Sequence, residues 1–328
     1  MKYYSNEIVF RGHPDKVCDQ ISGAILNALM KKDKKTRAGI EVMWKNDKIF
    51  ITGEVTSNAD VDYGSIARST IKKIGYNGRY DVITEISKQS LDIARGVDKL
   101  GAGDNGMMFG YACNETEKFL PKAMVMLQEF ARKYDKLVHD YPKLFHPDGK
   151  AQITGEYDSE FRLIKIKTFT VCYCHRLWNK DSILSADGII KVAIRQLCAK
   201  YKIKCEKKLI NPTGSFNIGG SYADAGLTGR KIVVDAYQSF ANVGGGCMNG
   251  KDPTKVDFSA AHKAREIAKT LVSLCRLKWC EVQISYAIGL EKPLAIYINS
   301  NVGFINAPLQ MYEECKPANI IKDLNLLD

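Results

Sequence analysis

Residues 244–257 read Gly244-Gly245-Gly246-Cys247-Met248-Asn249-Gly250-Lys251-Asp252-Pro253-Thr254-Lys255-Val256-Asp257, a stretch dense in glycine, lysine and aspartate. Glycines let backbone approach a bulky anion, lysines neutralise it, and a carboxylate holds a hard cation against it. That combination suits a polyphosphate. Gly245 to Gly250-Lys251 has the letters of a Walker loop, but Asp252 stands where a Ser or Thr would meet magnesium. A phosphate site is expected, without the standard P-loop.

A second cluster, Gly12-His13-Pro14-Asp15-Lys16, precedes Val17, Ile21, Ile25 and Leu29, four residues apart. That spacing predicts an amphipathic helix starting near Pro14 or Asp15, with Asp15 in the first turn, where unpaired N–H groups favour a carboxylate. Asp257 stands in the same relation to a second stripe, Ala260, Ala264, Ile267, Ala268 and Leu271. An aspartate so placed can do no more than stabilise its helix. Beside a histidine in one case and two lysines in the other, each reads as a site residue.

Alternating segments at 39–56, 162–174 and 279–298 predict strands, and helical patterns at 61–74, 181–201 and 259–276 accompany them. Sheets covered by helices, recurring three times, predict an α+β chain with weak threefold similarity. Hydrophobic residues make up 45% and charged residues 26% of the 328 residues, and no apolar run approaches the about eighteen residues of a membrane span. The N-terminus lacks a signal-peptide core, so a cytoplasmic location and no membrane partner are expected. Of ten cysteines none forms C-x-x-C; Cys172 and Cys174 would share one strand face with His175 on the other, which disfavours zinc. The net charge of +11 raises nucleic-acid binding, but Lys31-Lys32-Asp33-Lys34-Lys35 and Lys202 to Lys208 lack interleaved aromatics and read as solvated charge, so no nucleic-acid partner is expected.

The two clusters, together with Thr52-Gly53-Glu54, Lys88-Gln89-Ser90, GAGDNGMMFGYACNET at 101–116, Pro147-Asp148-Gly149-Lys150, NPTGSF at 211–216 and Asp224 to Lys231, resemble the ordered signature blocks of S-adenosylmethionine synthetases (methionine adenosyltransferases). The resemblance runs from about residue 5 to about residue 290. It implies three interleaved, similar sheet-plus-helices domains: 1–11 with 115–218, 12–92 with 219–259, and 93–114 with 260–328. The third is expected to be abbreviated, because the chain ends at Asp328 without the family's usual aromatic, glycine-rich terminal segment.

The implied reaction is attack of methionine sulfur on C5′ of ATP, with triphosphate displaced and then hydrolysed to phosphate and diphosphate. A thioether has no proton to lose, so the protein's work is alignment and charge stabilisation. By resemblance, Asp15 and Asp257 would hold two magnesium ions and Glu41 one potassium ion at each site. His13, Lys150, Arg230, Lys251 and Lys255 would be the catalytic set around the phosphates. Asp148, Ser215, Phe216, Asp224, Lys231 and Cys247 would complete the ATP site, with Phe216 over adenine. Glu54, Gln89, Asp104, Asp224 and Lys255 would receive methionine. A homodimer with sites at the subunit interface, able to pair into a homotetramer, is expected. Glu54, Gln89 and Asp104 would reach each site from one chain, and His13, Asp15, Lys251 and Asp257 from the other.

Gln89 to Gly106, with Gly96, Gly101, Gly103 and Gly106, is expected to form a gating loop, shortened here because only Lys99 and Leu100 separate Gly96-Val97-Asp98 from the GAGD run. Arg11, Gly23, Asn105, Val243 and Cys247-Met248 also depart from the family pattern, the last three predicting a differently lined adenosine and phosphate pocket. Two other readings compete. A P-loop kinase is disfavoured by Asp252; a catalytically silent homologue that regulates or stabilises an active partner would have no need of His13, Asp15, Lys251, Lys255 and Asp257 together.

Overall fold

A computed structural model describes residues 2–90, 100–176 and 180–327. Three four-stranded sheets carry the fold, each with one face under helices. The first has the order β1 (Lys2–Val9), β6 (Phe145–Tyr157), β7 (Leu163–His175), β8 (Cys205–Ile210), antiparallel except for β7 and β8. The second has the order β4 (Asp81–Ser87), β3 (Lys48–Thr56), β2 (Arg37–Lys45), β9 (Gly226–Leu227), with β3 and β4 parallel. The third, β12 (Gly303–Ile305), β11 (Ala295–Ser300), β10 (Trp279–Tyr286), β5 (Gly106–Cys113), is antiparallel throughout. Each sheet thus joins segments far apart in sequence.

Helices α1 (Pro14–Lys32) and α2 (Tyr63–Ile74) cover the second sheet, α3 (Lys122–Asp140) and α4 (Lys180–Lys200) the first, and α6 (Val256–Leu274) the third, with α7 (Leu309–Glu314) and α8 (Pro317–Asp323) beside it. A short α5 (Ile232–Asp235) lies between β9 and α6. Helix α1 forms where its spacing requires: proline opens it, the His13 ring nitrogen accepts from the Asp15 N–H at 3.2 Å, and Val17, Ile21, Ile25 and Leu29 are all fully buried. Helix α6 starts three residues before the predicted pattern, at Val256. The alternating segment 279–298 is two strands, interrupted after Tyr286. Strands β1, β4, β5, β6, β8, β9 and β12 and helices α3, α5, α7 and α8 lie outside the segments that the periodicity marks.

Two junctions position the site. Residues 10–13 dock on β6: Phe10 N–H donates to Gly149 O (2.9 Å), Gly12 N–H to Pro147 O (3.1 Å), and a Cβ on Gly12 would lie 2.4 Å from Pro147. Residues 250–252 continue the second sheet along β2, with Ile40 N–H donating to Gly250 O (2.9 Å) and Asp252 N–H to Ala38 O (3.1 Å). Phe10 anchors the first junction, fully buried and stacked on Tyr134 with centroids 4.1 Å apart. Phe10→Ala should cost about 3–5 kcal/mol in urea unfolding, and a loss under about 1 kcal/mol would contradict this anchoring.

Candidate functional site

The anticipated residues gather into two groups in one chain. In the first, Asp15 sits fully buried at the second position of α1, its Oδ1 accepting from Leu227 N–H (2.9 Å) and its Oδ2 from Lys231 Nζ (2.5 Å). Arg230 Nε stands 3.7 Å from the same carboxylate and remains half exposed. His13, capping the helix, accepts the Asp15 N–H at Nδ1, so its proton resides on Nε2. Burial first, then the charges of Lys231 and Lys150, push this imidazole down to about 4 against the opposing pull of Asp15 and Asp224. It therefore offers a hydrogen bond, not a charge, at neutral pH.

Lys150 and Asp224 are exposed around this group. Asp148 is buried and accepts from Gly220 N–H at 2.7 Å, its carboxyl pushed up to about 6 mainly by burial. Ser215 is exposed and Phe216 half buried in the loop after β8, where Phe216 N–H donates to His175 Nε2 at 3.0 Å. The same bond uses the histidine nitrogen considered for zinc; among the described residues no group of three or more His, Cys, Asp or Glu could hold a metal.

The second group lines an open cleft of about 690 Å³ on the outer face of the second sheet, bordered by Glu41, Glu54, Asp104, Lys251, Lys255 and Asp257. Asp257 occupies the second position of α6, as Asp15 does in α1, and its Oδ2 pairs with Lys251. Lys255 Nζ lies 3.3 Å from Glu54 Oε1, and Gln89 Nε2 donates to that oxygen at 3.2 Å. Burial raises the Glu41 carboxyl above its usual range while nearby Lys251 opposes the shift. Asp104 is exposed, its Oδ1 accepting the Asn105 N–H at 2.7 Å. Of the expected gate, Gly96-Val97-Asp98-Lys99 lie outside the described residues; its end is tied down where Ala102 N–H donates to Leu290 O (2.9 Å).

This geometry corrects the division expected between chains. Lys251 and Asp257 stand with Glu54, Gln89 and Asp104, not with His13 and Asp15, because residues 250–252 are bonded along β2, beside β3, which carries Glu54. No hydrogen bond or ion pair among the described residues joins the two groups. Val243 and Met248 are not among the residues that line the cleft; they border an adjoining cavity of about 230 Å³, with Met107, Met124 and Tyr237, that shares Asp257 with the cleft. Cys247 does approach the first group, its side chain facing Gly229. Sequence reasoning missed Asp19 and took Asp252 only as a departure from the P-loop pattern. Asp19 is nearly fully buried, accepting from Gly229 N–H (3.0 Å) and Lys16 Nζ (2.9 Å), and its place one turn after Asp15 was the available signal.

Asp15 and Asp257 are hard oxygen donors, and among the described residues neither belongs to a group of three or more His, Cys, Asp or Glu able to hold a metal. That matches magnesium, which takes one or two carboxylates and leaves its other positions to phosphate oxygens and water.

Comparison with known proteins gives one family. The profiles of the S-adenosylmethionine synthetase N-terminal, central and C-terminal domains match residues 1–99, 99–216 and 218–328. These contiguous segments do not coincide with the sheets, since β1 lies in the first but pairs with β6 in the second. Relatives called S-adenosylmethionine synthase from Prochlorococcus marinus strains MIT 9211 and MIT 9313 are each 39% identical over 361 and 362 residues, covering 98% of this chain and 88% and 86% of theirs.

Adjacent glycines give a test of the second group. A Cβ on Gly246 would fall 2.0 Å from Asp257 Oδ1, whereas one on Gly245 would meet nothing within 4 Å. Gly246→Ala should turn the carboxylate from Lys251 and cost about 1–3 kcal/mol in thermal unfolding, with Gly245→Ala within about 0.5 kcal/mol of the parent. Equal melting of the two variants would contradict the geometry.

Proposed function

The chain belongs to the S-adenosylmethionine synthetase family and is a methionine adenosyltransferase, and from that premise we propose that its two groups are complementary halves of an ATP and methionine site completed by a second copy. The observation that carries this reading is the repeated lysine–aspartate pair, Lys231 with Asp15 and Lys251 with Asp257, at equivalent positions of two helices, with no hydrogen bond or ion pair among the described residues joining one pair to the other. A triphosphate needs cations on both flanks. One chain offers them in two groups that no ion pair among the described residues joins.

In this reading the methionine sulfur attacks C5′ of ATP and the triphosphate leaves as one unit, to be hydrolysed to phosphate and diphosphate. Arg230, Lys231 and Lys150 on one side, and Lys251 and Lys255 on the other, stabilise the charge that gathers on the leaving oxygens. His13 Nε2–H donates to a triphosphate oxygen. Phe216 and Ser215 border adenine, Asp148 and Asp224 the ribose, and Cys247 the wall between the halves. Glu54, Gln89 and Asp104 orient methionine, with Lys255 between them. Two magnesium ions, when bound at Asp15 and Asp257, would supply Lewis-acid neutralisation of the phosphates, releasing Lys231 and Lys251 to contact phosphate directly. Glu41 is the proposed potassium ligand. The attack of sulfur on C5′ needs no general base.

We take the three sheet-and-helix layers as domains with the boundaries 1–11 with 115–218, 12–92 with 219–259, and 93–114 with 260–328. Face-to-face pairing is supported by Met43, Met107, Tyr297 and Phe304, strand residues that remain 40–56% exposed on the open faces of the second and third sheets. Among the described residues no helix is long and apolar enough to cross a membrane. A cytoplasmic setting fits ten cysteines none of which is paired.

The reaction is tested by supplying ATP, methionine, magnesium and potassium and following S-adenosylmethionine and both phosphate products. Chelation of magnesium should abolish turnover, and Glu41→Gln should blunt the response to potassium alone. Product formation in the presence of excess chelator would contradict the metal assignment.

The division into halves is tested by mixing chains. Arg230→Ala with Lys251→Ala chains, each impaired, should give one intact site per mixed dimer and recover roughly a quarter of parental activity at random pairing. Asp104→Asn with Lys251→Ala should recover none, because both residues lie in the same half. Recovery in the second mixture and not in the first would refute the division.

A further inference from the structure

Asp252 is a carboxylate behind Lys255 and Gly39 of the cleft wall, to which the reaction as described gives no task. It is fully buried, yet five groups converge on it. Oδ2 accepts from Ala38 N–H at 2.9 Å and from Lys255 Nζ at 3.3 Å; Oδ1 accepts from Thr254 N–H at 3.0 Å and Thr254 Oγ1 at 2.6 Å, with Arg37 Nη1 3.9 Å away. The Lys255 stem passes Gly39, where a Cβ would come within 3.3 Å of Cε. The ammonium is thereby delivered to a point 3.3 Å from Asp252 and 3.3 Å from Glu54.

These two carboxylates are not equivalent competitors. Asp252 has no water to fall back on, so its charge depends on the cations beside it, the Lys255 ammonium at 3.3 Å before the Arg37 guanidinium at 3.9 Å. The Glu54 side chain is 26% exposed and can exchange its lysine for solvent or for another cation. We propose that Asp252 is a positioning residue: it retains the Lys255 ammonium in the cleft wall and so keeps the Glu54 carboxylate available to the α-ammonium of the amino-acid substrate. Without the negative charge of Asp252, Lys255 closes onto Glu54, and an incoming ammonium must displace it. This inference rests on the reading that Glu54 receives methionine.

The test is Asp252→Asn in the full chain, of similar volume and still able to accept one of the backbone bonds. The parent is first shown to convert ATP and methionine; failure there sinks the functional reading and not this inference. Asp252→Asn should raise KM for methionine about tenfold, while KM for ATP and the inhibition constant of 4-(methylthio)butanoate, methionine without its amino group, stay within about twofold. Thr254→Val, which removes a bond to Asp252 without touching its charge, should leave the methionine KM within about twofold. A parallel loss of all three affinities in Asp252→Asn, or an unchanged methionine KM, overturns the proposal.

Should Asp252→Asn not fold, melting temperatures decide. Lys255→Met, stranding the buried carboxylate, should melt roughly 3–6 °C below the parent, and adding Asp252→Asn in the same chain should recover at least about half of that. Lys255→Met melting like the parent, or a double variant less stable than Lys255→Met, overturns it.

Discussion

A lysine bound to an aspartate at the second position of a helix is the interaction on which the site depends, and it occurs twice. Asp15 in α1 and Asp257 in α6 each lie where the first-turn N–H groups favour negative charge, and each is neutralised by a lysine from a neighbouring loop. The helix contributes about 0.3–1 kcal/mol to such a carboxylate, reaching about 2 kcal/mol when partly buried. That is too little to hold a buried charge by itself. The lysine is therefore obligatory while no other cation is bound, and the loops that supply Lys231 and Lys251 must be fixed with respect to two helices on two different sheets.

The rest of the fold meets that demand through long-range pairing. The 226–231 segment reaches Asp15 because β9 pairs with β2 at Trp44 and Met43. Lys251 reaches Asp257 because residues 250–252 run along the other end of the same strand. Strand β2 thus holds both loops, and the two lysine–aspartate pairs inherit their separation from it. Helix α3 is as long as α1 and α6 and covers the first sheet, yet it opens with Lys122-Ala123-Met124 after Pro121 and carries no acid in its first turn. The first layer supports the other two; Phe10, Tyr134 and the β6 backbone clamp the turn that carries His13.

What the sequence made legible follows from range. Helix α1, the β2–β3 hairpin around Asn46 and the aspartates at helix starts are local patterns, readable from spacing and cap chemistry. The ordered motif blocks identified the family and the enzyme class. Which residues share a half-site was not readable, because the contacts that decide it span long separations: the Asp252 carboxylate bonds the Ala38 N–H across 214 positions, and Lys231 reaches Asp15 across 216. Asp252 was noticed only as a departure from the P-loop pattern. Its burial and five partners exist only once residues 250–255 lie against β2. Val243 and Met248 read as pocket lining because they flank the glycines; they line an adjoining cavity that meets the cleft at Asp257.

The central claim is that each chain carries two unlike halves and that catalysis requires halves from different chains. A crystal structure with a non-hydrolysable ATP analogue, methionine and magnesium measures this directly. The account predicts one triphosphate touched by Arg230 and Lys231 of one chain and by Lys251 of its partner, with the magnesium ions on Asp15 and Asp257 from different chains. A triphosphate held by Lys231 and Lys251 of the same chain would contradict it.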